Sequence, residues 1–132
     1  MIYGLVACCA TKADKPCAAK DLYVSPLFCM SRQWIERIGV PWFILYAKHG
    51  LLHPSQVVEA YNLTLSQLTR QQRHQWARHV HQQIVVATGY TTLVVLAGSL
   101  YLEATKGFCV IDPLQGLPIG RRLQRLKRML AA

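Results

Sequence analysis

Apolar and polar positions fall into blocks along this chain, and the blocks are of two kinds. Short apolar runs rich in β-forming residues occupy positions 2–8, 42–47, 92–97 and 108–111. Unbroken runs of that length predict strands buried on both faces. The stretches between them space their apolar residues at three- and four-residue steps. Leu27, Met30, Trp34 and Ile38 mark one helix, with Ser25 as N-cap, Pro26 at the first helical position and Gly39 at its close. A longer helix is expected from a Ser66 cap to about Thr88. Its inward face would be Leu68, Trp76, Val80, Ile84 and Ala87, with Arg70, Arg73 and Arg78 outside. Gly98-Ser99 turns into a short helix, and a last helix runs from about Ile119 to Leu130.

Strands alternating with helices predict a parallel sheet with right-handed crossovers and helices on both faces. The expected fold is a three-layer α/β/α sandwich with a four-stranded parallel sheet, one domain over residues 1–132. Residues 9–21 are expected as a long polar loop, 48–54 as a turn and 57–63 as irregular chain.

Composition narrows the class. A chain of 132 residues that is 52% hydrophobic can bury a core without disulfides and is not a disordered segment. No apolar run reaches the roughly 18 residues that span a bilayer, so no membrane partner is expected. Met1-Ile2-Tyr3-Gly4 has no basic region ahead of its apolar residues and is expected to open a strand, not a signal peptide. Five cysteines, an odd number, then fit a reduced cytoplasmic protein.

Charge changes the picture more. Fifteen Lys and Arg against six Asp and Glu give a net +9, which favours a polyanionic partner, most simply a nucleic acid. Arg121, Arg122, Arg125, Lys127 and Arg128 crowd the last helix, whose Leu123, Leu126 and Leu130 form an apolar face. The basic positions are expected to contact phosphates; the competing reading is a solvated face.

In open α/β sheets, ligands bind beyond the carboxyl ends of the strands. Four strand ends would bring Cys9 and Lys12, Lys48 and His49, Gly98 and Ser99, and Asp112-Pro113 to one edge. Gly98-Ser99 can offer backbone N–H groups to an anion or a base carbonyl; the plain alternative is a tight turn. The stretch lacks the phosphate-loop lysine and the Gly-x-Gly-x-x-Gly spacing. Cysteine and histidine spacings match no metal site, and no cofactor is expected. A nucleophilic Cys8 or Cys9 competes with a buried, inert thiol. Of the few carboxylates, Asp21 is the first choice to position water, with helix capping as its rival role. Tyr23, Tyr61 and Tyr101 could stack a base or roof the core.

Residues 47–54, Ala-Lys-His-Gly-Leu-Leu-His-Pro, followed by Tyr61-Asn62-Leu63-Thr64-Leu65, resemble the "YG-x-L-x-P … Y" segment of the YaaA-like peroxide-stress proteins. The chain is more similar still to a small bacterial and phage family related to them. That family pairs a first-strand Cys-x-x-Lys-type loop with an "A-x-D-L-Y-x-S-x-L-F" segment, here residues 19–28, and closes on "P-L-x-G-L-x-I-G-x-R-L", here residues 113–123. The resemblance implies a fold similar to the uracil-DNA glycosylase superfamily and binding of nucleic acid. It supplies no settled reaction, and the glycosylases' usual water-activating motif after the first strand is missing here.

Together these point to an enzyme acting on a base or its N-glycosidic bond, in the manner of a DNA glycosylase, with DNA expected before RNA. Asp21, Lys48 and His49 would carry the chemistry. Cys9, Lys12, Tyr23, Ser25, Tyr61, Gly98 and Ser99 would hold the substrate, and Arg121, Arg122, Arg125 and Arg128 the nucleic acid. The alternatives are a non-catalytic DNA-binding stress-response protein and a hydrolase or transferase of free nucleotides.

Overall fold

The computed structural model describes residues 1–7, 17–22, 25–48, 50–58, 65–115 and 117–131, without the side chains of residues 17, 21, 22 and 119. Chain order is β1 (Ile2–Ala7), β2 (Cys17–Ala18), α1 (Ala19–Leu22), α2 (Pro26–Ile38), β3 (Trp42–Tyr46), β4 (Gly50–Leu52), β5 (Val57–Val58), a 3₁₀ turn at Leu65–Gln67, α3 (Arg70–Thr88), β6 (Thr92–Leu96), a 3₁₀ helix at Ser99–Thr105, β7 (Cys109–Ile111) and α4 (Ile119–Ala131).

The main sheet has five strands in the order β4-β3-β1-β6-β7. β3, β1, β6 and β7 run parallel, as the pattern predicts. β4 is antiparallel to β3, with Ile44 opposite Leu52 and Tyr46 opposite Gly50, which corrects the four-stranded parallel sheet. The reason is local. Gly50 takes φ of 82°, a conformation an L side chain resists, and this lets the chain reverse just past the end of β3. Leu51 and Leu52 then form an extra edge strand where a polar turn was expected. α3 covers that edge: the Leu51 N–H donates to the Gln83 Oε1 at 3.0 Å. A second correction falls in the presumed loops, where Cys17–Ala18 pairs antiparallel with Val57–Val58.

Side chains of the parallel strands alternate between two cores, as their period of two requires. Val6, Ile44, Tyr46, Val94 and Leu96 face Phe28 and Ile35 of α2 and Leu126 of α4. Leu5, Leu45, Leu93 and Val95 face Trp76, Val80 and Ile84 of α3. Gly4 allows α2 to come close to β1, since a Cβ there would meet Ile35 Cδ1 at 2.6 Å.

Helix ends follow their caps. The Ser25 hydroxyl accepts the Phe28 N–H, Pro26 opens α2, and Gly39 closes it in the left-handed region, all as expected. α3 begins later than predicted. Thr69 and Gln72 exchange both bonds of a capping box, Gln72 N–H to Thr69 Oγ1 at 3.1 Å and Thr69 N–H to Gln72 Oε1 at 2.9 Å. Ser66 lacks a Glu or Gln three residues on, and it lies in the 3₁₀ turn anchored by buried Leu65. Ala77 is buried in α3 in place of the exposed Ala87. Among the described residues no helix is long and apolar enough to cross a membrane.

Candidate functional site

The parallel strands end on one side of the sheet, at Ala7, Tyr46, Leu96 and Ile111. Gly98 and Ser99 follow β6, and Asp112 follows β7, its neighbour in the sheet. They meet a residue from farther along the chain. Arg122, in the first turns of α4, donates Nε–H to the Leu117 carbonyl at 2.7 Å. Its Nη1 then lies 3.5 Å from the place a Cβ would take on Gly98, so no side chain stands between the guanidinium and the start of the 3₁₀ helix.

Beside them lies a cavity of about 500 Å³, with Ser99, Asp112, Gln115 and Arg122 as its polar walls and Leu102, Leu114, Leu117 and Pro118 as apolar ones. The loop that carries Asp112 is held in place. The Gln115 N–H donates to the Asp112 carbonyl and the Leu117 N–H to the Leu114 carbonyl. The Arg125 Nη1 reaches across from α4 to the Pro113 carbonyl at 3.1 Å.

Asp112 is the unusual group. Its Oδ1 is buried and has no hydrogen-bond partner among the described residues. Burial pushes its pKa above the ordinary 3.8, while a hydrogen bond from the Leu114 backbone and the positive charge of Arg122 pull the other way. Other described carboxylates are engaged: Glu36 with Arg32 at 3.1 Å and Glu103 with His74 at 2.7 Å. Among the described residues there is no His/Cys/Asp/Glu group able to hold a metal ion.

A second cavity, about 510 Å³, lies along α4 and is lined by Arg121, Gln124, Arg125 and Arg128. Leu117 and Pro118 line both cavities, so they form the wall between them. At 100° per residue, Arg121, Arg125 and Arg128 share one stripe of the helix, and Arg122 is turned toward the core-facing side with buried Leu126. The expected basic row is therefore three arginines on an open groove and one in the neighbouring pocket.

The other expected site residues are spread more widely. Lys48 is exposed in the β3–β4 turn, at the predicted edge. β1 separates β3 from β6, which puts the Lys48 strand end about 10 Å from that of β6. Ser25 serves as the α2 cap, away from the cavity lining. Asp21 falls within α1, not in a loop, and its side chain is outside the described residues, as are Cys8, Cys9, Lys12, Tyr23, His49 and Tyr61. Tyr101 packs edge-on against Trp76 at 5.6 Å, the core-roofing role. Asp112 was visible in the sequence as one of few carboxylates at a strand end. The burial of its Oδ1 depends on residues 112–115 and 117–118 packing beside α4, which local pattern does not encode.

A family model matches residues 3–128 of the chain. The chain belongs to that family, DUF6884, a family of unknown function. No curated protein and no solved structure matches it.

Proposed function

We propose that this member of DUF6884 binds nucleic acid along the arginine stripe of α4 and acts on the N-glycosidic bond of a base received in the adjoining cavity. The observation that carries the reading is the shared wall: the pocket of Asp112 and Arg122 adjoins the groove of Arg121, Arg125 and Arg128 across Leu117 and Pro118. A strand whose phosphates follow the groove can turn one extruded base over that wall. DNA is proposed before RNA. The resemblance to the glycosylase-like families supports the same reading, and the four parallel strands between helix layers are compatible with a uracil-DNA glycosylase-like fold.

Breaking the bond between C1′ and the base nitrogen leaves the electron pair on the base and positive charge on the sugar. Arg122 stabilises the departing base's negative charge. Asp112, in the same pocket, accepts hydrogen bonds from the donor edge of the base and fixes it for departure as water attacks C1′. Asp112 is thus a base-holding residue, and Lys48 lies outside the lining of the pocket.

Incubation with DNA carrying varied normal and modified bases, followed by alkaline cleavage and mass spectrometry, tests the reading. The expected result is a free base and a strand cleavable at the vacated sugar. Tight binding with no released base from any substrate would favour a non-catalytic DNA-binding protein.

A further inference from the structure

The cavity beyond β6 and β7 holds two groups that face the same space without satisfying each other. Arg122 uses its Nε–H on Leu117, and its terminal nitrogens have no hydrogen-bond partner among the described residues. Asp112 Oδ1 is likewise without a partner, and the two side chains form no ion pair. A ligand that completes both must carry hydrogen-bond acceptors on one edge and donors on the next. Its faces must be apolar enough to lie against Leu102, Leu114, Leu117 and Pro118.

We propose that this cavity is a guanine site. Guanine offers O6 and N7 as adjacent acceptors, the pair that an arginine fork reads. Its next edge offers N1–H and N2–H, two donors in line for a carboxylate. Adenine places an amino donor where Arg122 needs an acceptor. Uracil, thymine and cytosine have no edge with two adjacent donors, so Asp112 would be left incompletely paired. Hypoxanthine keeps O6 and N7 but lacks the second donor.

The assignment rests on reading the cavity as a base pocket, and its test is independent of turnover. Guanosine, inosine, adenosine and uridine are titrated into the full chain by calorimetry. In parallel, a thymine oligonucleotide with a single guanine is compared with one that has none. Guanosine is expected to bind about tenfold or more tightly than inosine and adenosine, the size of one good bidentate pair. Asp112→Asn, which leaves one acceptor in place of two, should erase the difference between guanosine and inosine. Arg122→Gln should weaken guanosine and inosine together. Adenosine or uridine binding as well as guanosine, no binding of guanosine, or a preference that survives Asp112→Asn would overturn the assignment. A guanine preference with no base released from any DNA would leave this assignment standing and remove the glycosidic reaction. Release of uracil or adenine alone would do the reverse.

Discussion

Asp112 has a buried oxygen that nothing in the described chain satisfies, and a buried polar group in that state opposes folding. Its pKa in the fold lies above 3.8, so ionisation favours the unfolded chain. The sign follows: this group's contribution to stability is fully present below its unfolded pKa and is lost as pH rises through its folded value. Asp112→Asn removes the charge and keeps the shape. The variant is therefore expected to melt higher than the wild type at pH 7, with the gap closing as pH falls toward 3. Paired thermal melts across that range check it, and a variant that melts lower at pH 7 would mean that the carboxylate has a stabilising partner. At this scale the sequence was half legible. Scarcity and position drew attention to Asp112 beside Gly98 and Ser99, yet Asp21 was preferred because its loop followed a central strand. The desolvation of Asp112 is a property of the packed loop, not of its neighbours in sequence.

Elements with strong local signals are found where their signals put them. Ser25-Pro26 and Gly39 bound α2 as any host helix would be bounded, because each acts on its own backbone. The α3 start shows which local signal wins when two compete: Thr69 with Gln72 satisfies two orphan N–H groups, whereas the residue three on from Ser66 is a threonine and cannot complete a capping box. Thr69→Ala should cost about 1 kcal/mol in denaturant unfolding with an unchanged slope. A neutral change would mean that the first turn of α3 is held by packing alone. β4 escaped notice because three residues are too few to show a period and its formation depends on one backbone angle. Gly50→Ala should cost more than about 1 kcal/mol, through the left-handed angle and the crowding of the new methyl against Val80 Cγ2 at 3.0 Å and the Gln83 amide. β2 and β5, two residues each, pair only because the chain brings them together.

Across the whole molecule, the net charge of +9 is unevenly placed, with Arg121, Arg122, Arg125, Lys127 and Arg128 all on α4. The helix period separated the leucine face of α4 from its basic face, but only packing shows Arg122 turned into the pocket and Arg125 reaching the Pro113 carbonyl. Arg121, Arg125 and Arg128 remain on the groove. Changing these three to Gln should weaken duplex DNA binding and flatten its salt dependence by up to ~3 units of log K per log salt, with the leucine face and the fold intact. An unchanged slope would move the phosphate contacts elsewhere on the chain. The central claim is that groove and pocket work as one site, with binding on one side of Leu117 and Pro118 and chemistry on the other. The most direct measurement is base release under single-turnover conditions, run beside DNA binding, for the wild type, Asp112→Asn and the triple arginine variant. The account predicts that Asp112→Asn binds DNA like the wild type and releases no base, and that the triple variant releases base at the wild-type rate once DNA is saturating. Wild-type release by Asp112→Asn would contradict it.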